Sequence, residues 1–168
     1  YQSFFMASAE QGGGALLDES HWIDLMLWFF GRPKSVYGQV EKNSNLEISS
    51  DDNVDAIINY DNGLRVTLHL DLYGRPHEKF IRFIGESGTI VWSAEPNVIK
   101  ISLESSQKWE VEEFVYERND MFVDVAKEFI EILDSKKAPS CIMDDGLMVM
   151  EIIEAIRLSS SENRRGEL

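Results

Sequence analysis

The amino-acid sequence predicts an α+β domain: an open, mostly antiparallel β-sheet with helices packed on one face. A helical pattern opens the chain, a series of strand-like segments occupies residues 35–116, and two helical patterns close it. The connections between the strands are too short for helical crossovers, so neighbouring strands are expected to run antiparallel. With 168 residues and 43% hydrophobic content, residues 1–168 are long enough for a single domain with its own core.

The first helical pattern runs from Ala15 to Phe30, behind three glycines at positions 12–14. Gly31 provides a stop signal at its end. Beyond Asp24 this helix is apolar all round, which is typical of a buried helix. Because glycine has no side chain, the three glycines would allow a substrate or cofactor to approach the backbone.

Alternating hydrophobicity defines the strands that follow. They are predicted at residues 35–41, 54–61, 64–73, 79–84, 89–93, 98–103 and 109–114. Asn62-Gly63 is a strong hairpin signal between the second strand and the third. In the third strand, the apolar side chains share one face and the polar side chains share the other. The second face of the sheet is therefore mixed, and we expect it to pair with a second subunit.

Two helices are predicted to close the chain. The first carries an apolar stripe over residues 122–133, behind an N-terminal cap at position 119 or 120. The second carries an apolar stripe over residues 149–156, behind an aspartate at position 144 or 145. Both stripes have helical spacing, so each helix is expected to lay one face on the sheet.

Composition and charge exclude several function classes. The formal net charge of −14 disfavours binding to nucleic acid, to anionic membranes and to phosphate groups. No apolar run approaches the roughly 20 residues that are needed to span a bilayer. The single cysteine, Cys141, cannot form an internal disulfide, so a reducing, cytoplasmic setting fits the sequence best. His21, His69 and His77 lack the close spacing of metal ligands, so no metal site is expected.

Asp18 and His21 are the first candidates for chemistry. They are three residues apart on a predicted helix, as are His21 and Asp24, so their side chains are expected to be neighbours. A histidine beside a carboxylate can accept or donate a proton near neutral pH, which suits a general acid/base. The alternatives are an ordinary surface or core histidine, a first-turn Asp18 that opposes the helix dipole, and a solvated or capping Asp24. Spacing alone does not define a site.

Residues 12–24 read Gly-Gly-Gly-Ala-Leu-Leu-Asp-Glu-Ser-His-Trp-Ile-Asp, and the helix ends in Trp-Phe-Phe-Gly at residues 28–31. This string resembles the segment that opens the second domain of the glucose–fructose oxidoreductase and inositol dehydrogenase family, also called Gfo/Idh/MocA. Later segments resemble the family in the same order: a hairpin at residues 60–64, a glycine-bounded strand pair at 84–92, and a closing helix and tail at 156–163. The resemblance covers essentially the whole chain.

The resemblance implies a fold, an activity and residue roles. The fold is the glyceraldehyde-phosphate-dehydrogenase-like C-terminal domain, and the activity is NAD(P)-dependent chemistry on a CH–OH group of a sugar, sugar acid or cyclitol. His21 falls where the family has its catalytic histidine, which exchanges a proton with the substrate hydroxyl. Asp18 falls near the partner carboxylate, but two residues separate it from His21 where many members have three. One residue rotates a helical side chain by about 100°, so this pairing is less well defined.

Further residues are implied on the substrate side. Tyr1 belongs to a segment, residues 1–5, that resembles the family's pocket-lining loop ahead of the glycines. Trp22 and Asp24 lie on the helix of the candidate histidine. Arg75 and His77 lie where the family lets strand-end side chains reach the substrate, and such groups suit a carboxylate or a set of hydroxyls. The alternative for Arg75 is an exposed turn residue.

The cofactor-binding half of such an enzyme is not recognisable in the sequence. No Gly-x-Gly-x-x-Gly string follows a strand, and the Glu-Lys-Pro motif that carries the family's catalytic lysine does not occur. NAD or NADP is therefore expected only in the full-length enzyme, on its own N-terminal Rossmann domain. This chain alone is expected to bind no cofactor and to be inactive. The expected partners are a small polyol or sugar and a second subunit. The alternative is a non-catalytic binding or dimerisation module of the same fold.

Overall fold

A computed structural model describes residues 4–115 and 117–168 of the chain. The helices are α1 (Ala15–Asp18), α2 (His21–Phe30), α3 (Arg118–Leu133) and α4 (Met143–Glu162), and the strands are β1 (Ser35–Glu41), β2 (Asn53–Asn59), β3 (Arg65–Asp71), β4 (Phe80–Gly85), β5 (Gly88–Ala94), β6 (Asn97–Leu103), β7 (Trp109–Glu113) and β8 (Gly166–Glu167). The chain divides into two units, the first formed by residues 1–73 with 141–168 and the second by residues 74–140.

The predicted α+β class and the antiparallel pairing of the strands are confirmed. The described strands form two four-stranded sheets, in the order β3-β2-β1-β8 and β4-β5-β6-β7. The predicted single set of strands is divided because β3 pairs only with β2, and β4 pairs only with β5. Within the part of the chain that the structure describes, no helix is long and apolar enough to cross a membrane.

The first sheet has one apolar face, as the alternation predicts. The register aligns Val36 with Ile58 and, on the next strand, Val66. Two positions along each strand, Gly38 lies opposite Ala56. These side chains belong to the apolar face, and the core of the first unit lies between this face and the helices α1, α2 and α4.

Gly13 and Gly14, before α1, pack against the chain itself, which corrects the interpretation that they receive a ligand. A Cβ atom on Gly13 would lie 2.4 Å from the carbonyl oxygens of Phe5 and Met6. A Cβ atom on Gly14, whose φ angle is +122°, would lie 2.2 Å from Oδ1 of Asp51. Asp51 Oδ2 in turn accepts a hydrogen bond from the backbone N–H of Leu16, at 2.9 Å. Glycines at these two positions therefore let the start of α1 approach a carboxylate that satisfies one of its free N–H groups.

The predicted helix from Ala15 to Phe30 is interrupted at Glu19 and Ser20, between α1 and α2. Ser20 N–H bonds to the carbonyl of Leu17, three residues back, and Glu19 has a ψ angle of 17°. Such bonds are typical of a tight turn rather than a continuous α-helix. Side chains on opposite sides of this turn therefore do not follow regular helical spacing.

The prediction that α2 is buried all round after Asp24 is wrong. Ile23, Met26 and Leu27 are buried, whereas Trp28 is 77% exposed, and Phe29 and Phe30 are also exposed. α2 packs on α4 from one side, and burial follows that side only. The end signal is confirmed, because Gly31 has a φ angle of +71° and donates its N–H to Leu27.

The helix α4 covers β1 and protects its free edge. Beyond the two residues of β1 that pair with β8, the N–H of Gly38 donates to Ser159 Oγ at 3.0 Å and that of Val40 donates to Ser160 Oγ at 2.9 Å. A Cβ atom on Gly38 would lie 2.9 Å from Cγ2 of Ile156, so glycine allows the helix to approach this closely. Side-chain hydroxyls thus replace a neighbouring strand along most of the edge.

The second unit is a meander with one helix. Its strands β4 to β7 pair in chain order, and α3 follows them. α3 begins at Arg118, and Asp120 reaches back to accept the N–H of Glu117 at 3.0 Å. Asp145 does the same for the N–H of Ile142 before α4, at 2.8 Å. Both helices therefore begin earlier than predicted, because the aspartates act from the first turn and not from the cap position.

Candidate functional site

His21 is the first residue of α2, and its imidazole is accessible. The side chain is 55% exposed. Its Nε2 atom lies 3.3 Å from Oε2 of Glu19, and its ring lies 5.4 Å from the ring of Trp22, measured between centroids. The imidazole therefore combines access from solvent with a carboxylate at contact distance, which is the environment that acid/base chemistry requires.

Glu19 connects His21 to Trp22 through a single oxygen. Oε2 of Glu19 accepts a hydrogen bond of 2.9 Å from the indole Nε1 of Trp22, and the same oxygen contacts His21. The side chain of Glu19 is only 17% exposed, so its carboxylate is partly shielded from water. Sequence reasoning missed this residue, although the three-residue spacing from Glu19 to Trp22 is a usable signal.

Asp18 and Asp24 are near His21 in sequence but do not contact it. Asp18 is the last residue of α1, and the turn at residues 19–20 separates it from His21. Asp24 lies on the exposed side of α2, one turn after His21. Across residues 4–115 and 117–168, no hydrogen bond or ion pair joins either aspartate to His21. Helical spacing does not hold between Asp18 and His21 because the helix is not continuous there, whereas Asp24 shares α2 with His21 and still forms no ion pair with it.

The other predicted substrate residues lie outside the described part of the chain or in the second unit. Tyr1 lies outside the described residues. Arg75 and His77 are exposed and belong to the second unit, whereas His21 belongs to the first. Arg75 donates a hydrogen bond of 2.7 Å to the carbonyl of its neighbour Gly74. That contact is a local turn interaction.

His69 lies in a polar network on the outer face of the first sheet. Its Nδ1 atom is 2.8 Å from Asp55 Oδ1 across the β2–β3 pair, and Nε2 is 3.5 Å from Asp71 Oδ2. Asn53 donates to Asp55 and accepts from the hydroxyl of Tyr73, each at 2.9 Å. Partial burial raises the pKa of Tyr73, and nearby carboxylates add to this rise. These contacts place His69 among polar residues on the face of the sheet.

Neither a metal centre nor a dinucleotide cradle is built from the residues described. Among them, no group of three or more histidine, cysteine or acidic side chains could hold a metal ion. The glycine run at 12–14 does not fit a pyrophosphate, because the space beside Gly13 and Gly14 is filled by carbonyl oxygens and by the carboxylate of Asp51. These oxygens would repel a phosphate group.

Comparison with known families decides what kind of chain this is. Residues 6–168 match the family model described as "Oxidoreductase family, C-terminal alpha/beta domain" of Gfo/Idh/MocA proteins. The chain belongs to the Gfo/Idh/MocA oxidoreductase family. This membership confirms the resemblance that the motifs around His21 predict, and it identifies the chain as the family's C-terminal domain. No curated protein matches the sequence significantly.

Solved structures agree with the fold. Levoglucosan dehydrogenase in complex with NADH and levoglucosan is 19% identical, with a TM-score of 0.80 over 94% of this chain and 51% of the other. The WlbA dehydrogenase from Bordetella pertussis, in complex with NADH and UDP-GlcNAcA, is 22% identical, with a TM-score of 0.68 over 93% of this chain and 45% of the other. This chain therefore spans about half the length of either structure.

Proposed function

We propose that this chain is the substrate-binding and oligomerisation half of an NAD(P)-dependent dehydrogenase that acts on a CH–OH group of a sugar, sugar acid or cyclitol. The observation that carries the proposal is the accessible imidazole of His21 at the start of α2, in contact with a carboxylate. Family membership supports the reaction class, and the similar solved structures with bound NADH and sugars support the substrate class.

In this proposal His21 is the general acid/base. In oxidation its imidazole takes the proton of the substrate hydroxyl while the carbon loses hydride, and in reduction it returns that proton. Histidine suits both directions because it changes charge near neutral pH. The hydride is exchanged with NAD(P), which supplies the redox chemistry when it is bound. The carboxylate beside His21 stabilises the imidazolium that forms when the proton has moved.

The substrate is proposed to lie over the N-terminal end of α2. Trp22 and Asp24 follow His21 on this helix. Trp22 offers an apolar ring surface and Asp24 offers a hydrogen-bond acceptor, both of which suit a polyol. Asp18, Tyr1, Arg75 and His77 remain predicted contributors from the family resemblance.

The cofactor is proposed to be held by an N-terminal Rossmann domain of the full-length enzyme. The absence of a fitting glycine cradle among residues 4–115 and 117–168 supports this, as does the length of the similar structures. The chain by itself would then be inactive and bind no NAD(P). Its one exposed free cysteine fits the cytoplasm, where thiols stay reduced.

Replacing His21 tests the proposal in the full-length enzyme. We expect His21→Ala to reduce turnover by about two to four powers of ten, because the proton transfer loses its acid/base. His69→Ala is a matched control, since His69 is 58% exposed and also contacts a carboxylate but lies on the outer sheet face. Turnover is measured from NAD(P)H absorbance with a panel of sugars, sugar acids and cyclitols. Near-normal turnover of His21→Ala would contradict the assignment.

A second candidate function is a non-catalytic binding or dimerisation module. The outer face of the first sheet favours it, because Tyr37 and Ile57 are exposed there at neighbouring positions of β1 and β2. Self-association through this face is also compatible with the dehydrogenase function, since it leaves α2 accessible, so self-association alone does not favour the non-catalytic function. They separate experimentally if the full-length protein self-associates but shows no turnover with any substrate of the panel.

A further inference from the structure

We propose that Glu19, and not Asp18, is the carboxylate that positions His21 for proton transfer. The inference rests on the proposed function and deepens it by adding a positioning residue to the acid/base site. Glu19 acts through His21 and Trp22 and is not itself expected to touch the reacting atoms. In this arrangement Glu19 faces Nε2 of the imidazole, which leaves Nδ1 for the proton of the substrate hydroxyl.

The turn between α1 and α2 places the side chain of Glu19 beside His21. The turn ends α1 at Asp18 and restarts the helix at His21, and this change of path brings Oε2 of Glu19 to 3.3 Å from His21 Nε2. Asp18, which a continuous helix would have placed beside His21, makes no hydrogen bond or ion pair with it in the described structure. The carboxylate that contacts His21 is therefore that of Glu19 and not that of Asp18.

The contact with Trp22 makes Glu19 a defined support and not a chance neighbour. The carboxylate is held by the indole N–H at 2.9 Å, and it is more buried than the histidine it contacts. A shielded carboxylate interacts more strongly with an imidazolium than a fully hydrated one does. One oxygen thus sets the position of two rings, the acid/base and the aromatic surface next to it.

Kinetics of four variants of the full-length enzyme test the inference. We expect Glu19→Gln to lower kcat about tenfold or more while KM changes less than twofold, because the lost charge acts in the step that forms the imidazolium. Glu19→Asp should recover part of this loss, since it restores the charge on a shorter side chain. Asp18→Asn is the matched comparison and should lose clearly less kcat than Glu19→Gln, because Asp18 makes no ion pair with His21, whereas His21→Ala should lose turnover. Normal kcat in Glu19→Gln, or a larger loss in Asp18→Asn, would overturn the inference.

A second measurement does not depend on activity. In the full-length protein labelled with ¹⁵N-histidine and ¹⁵N-tryptophan, Glu19→Ala should shift both the His21 ring nitrogens and the Trp22 indole N–H signal. Asp18→Ala should shift neither. If both signals stay in place in Glu19→Ala, the positioning role is wrong even where the enzyme is active. If they move but the wild-type protein has no turnover, the contact stands and the proposed dehydrogenase function fails.

Discussion

At the scale of single residues, Tyr60 carries a buried hydroxyl group that makes no hydrogen bond to the described residues. It follows β2 and lies in the core of the first unit, with the ring of Phe30 packed edge-on at 6.0 Å. Its hydroxyl has no hydrogen-bond partner in the described part of the chain. Burial raises the pKa of Tyr60 to about 12. The ring therefore contributes to packing, whereas the hydroxyl has lost its water without gaining a bond.

We therefore expect Tyr60→Phe to keep or increase stability. Removing an unpaired buried hydroxyl avoids a desolvation cost of about 1 kcal/mol or more. The free energy of unfolding is measured by urea denaturation followed by circular dichroism. Tyr37→Phe is the control, because it removes a hydroxyl that is bonded to Asn163 at 2.7 Å and should be slightly destabilising. A loss of more than about 1 kcal/mol in Tyr60→Phe would mean that the hydroxyl has a partner.

Asp52 is a buried carboxylate whose oxygens accept several hydrogen bonds. It accepts the N–H of Asn43 at 2.7 Å and both the N–H and the hydroxyl of Ser44, at 3.2 and 2.5 Å. Burial by itself raises the pKa of Asp52, but these hydrogen bonds outweigh it and the net pKa is lowered. A carboxyl with a lowered pKa stabilises the fold above its unfolded pKa and loses that contribution as the pH falls through its folded pKa.

The lowered pKa of Asp52 predicts how the stability of the Asp52→Asn variant, relative to wild type, depends on pH. At pH 5–7 we expect the variant to be less stable by about 2 kcal/mol, since it loses bonds to a charged group. The difference from wild type should shrink as the pH falls below about 4, the ordinary pKa of an aspartate, because the unfolded carboxyl then binds protons before the folded one does. Urea denaturation from pH 3 to 7 measures it. Asp61→Asn is the control, because Asp61 forms only an exposed ion pair with Lys34. A difference that stays constant over this range would contradict the assigned cause.

At the scale of elements, the pairing of α4 with β1 depends on hydroxyl groups as well as on apolar contacts. Ser159 is buried, accepts the N–H of Gly38 and donates to the carbonyl of Arg164 at 2.6 Å. One side chain thus joins the edge of the sheet, the helix and the turn after it. The serines in the closing helix are compatible with helical periodicity, but their role at a sheet edge is visible only in the fold.

Ser159→Ala should therefore be costly for a small substitution. It leaves the buried N–H of Gly38 and the partly buried carbonyl of Arg164 without this partner, and we expect a loss of about 2 kcal/mol in the free energy of unfolding. The amide of Gly38 should also lose protection in hydrogen exchange. Ser161→Ala serves as the control, because Ser161 is exposed and donates only to the carbonyl of Leu158. Equal stability of the two variants would show that the edge of β1 is satisfied in another way.

At the scale of the whole molecule, the surface is acidic and the outer face of the first sheet is mixed. The formal net charge is −14, which opposes close approach of two copies except where apolar side chains meet. Tyr37, Ile57 and Thr67 lie side by side across three strands of this face. This row is the least charged part of the outer face and is the proposed site of self-association.

We expect Ile57→Glu to weaken self-association of the full-length protein by about tenfold or more, because it buries an unpaired charge in the interface. Sedimentation velocity over a range of concentrations measures the change. Leu158→Glu is a matched control, since Leu158 is an exposed apolar residue on α4. If the oligomeric state of Ile57→Glu is unchanged, the interface does not lie on this face.

Much of the fold could be predicted from local patterns. β1 has the predicted bounds, and the strand alternation correctly assigns Val66 and Leu68 to the apolar face. The family also followed from sequence, through the string of residues around His21. These predictions succeeded because alternation, turn signals and motif order depend on residues that are close in the chain.

The remaining features could not be predicted, for the opposite reason. The break at Glu19 replaced Asp18 by Glu19 as the neighbour of His21, and helical spacing holds only where the helix is continuous. The exposure of Trp28 depends on which side of α2 meets α4, a contact between distant segments. The three glycines at positions 12–14 predict room for a ligand beside the backbone. In the structure the space beside Gly14 is filled by Asp51, which lies 37 residues later in the chain.

The family, the α+β class and the faces of the strands can be inferred from the amino-acid sequence alone, because each depends on local residue order and composition. The carboxylate that contacts His21, the neighbours of Gly13 and Gly14 and the hydrogen bonds along the edge of β1 become visible only in the folded structure. These are distances between groups that are separated along the chain or by a turn, and they are set by packing. Packing depends on all the neighbouring elements together and not on any one segment.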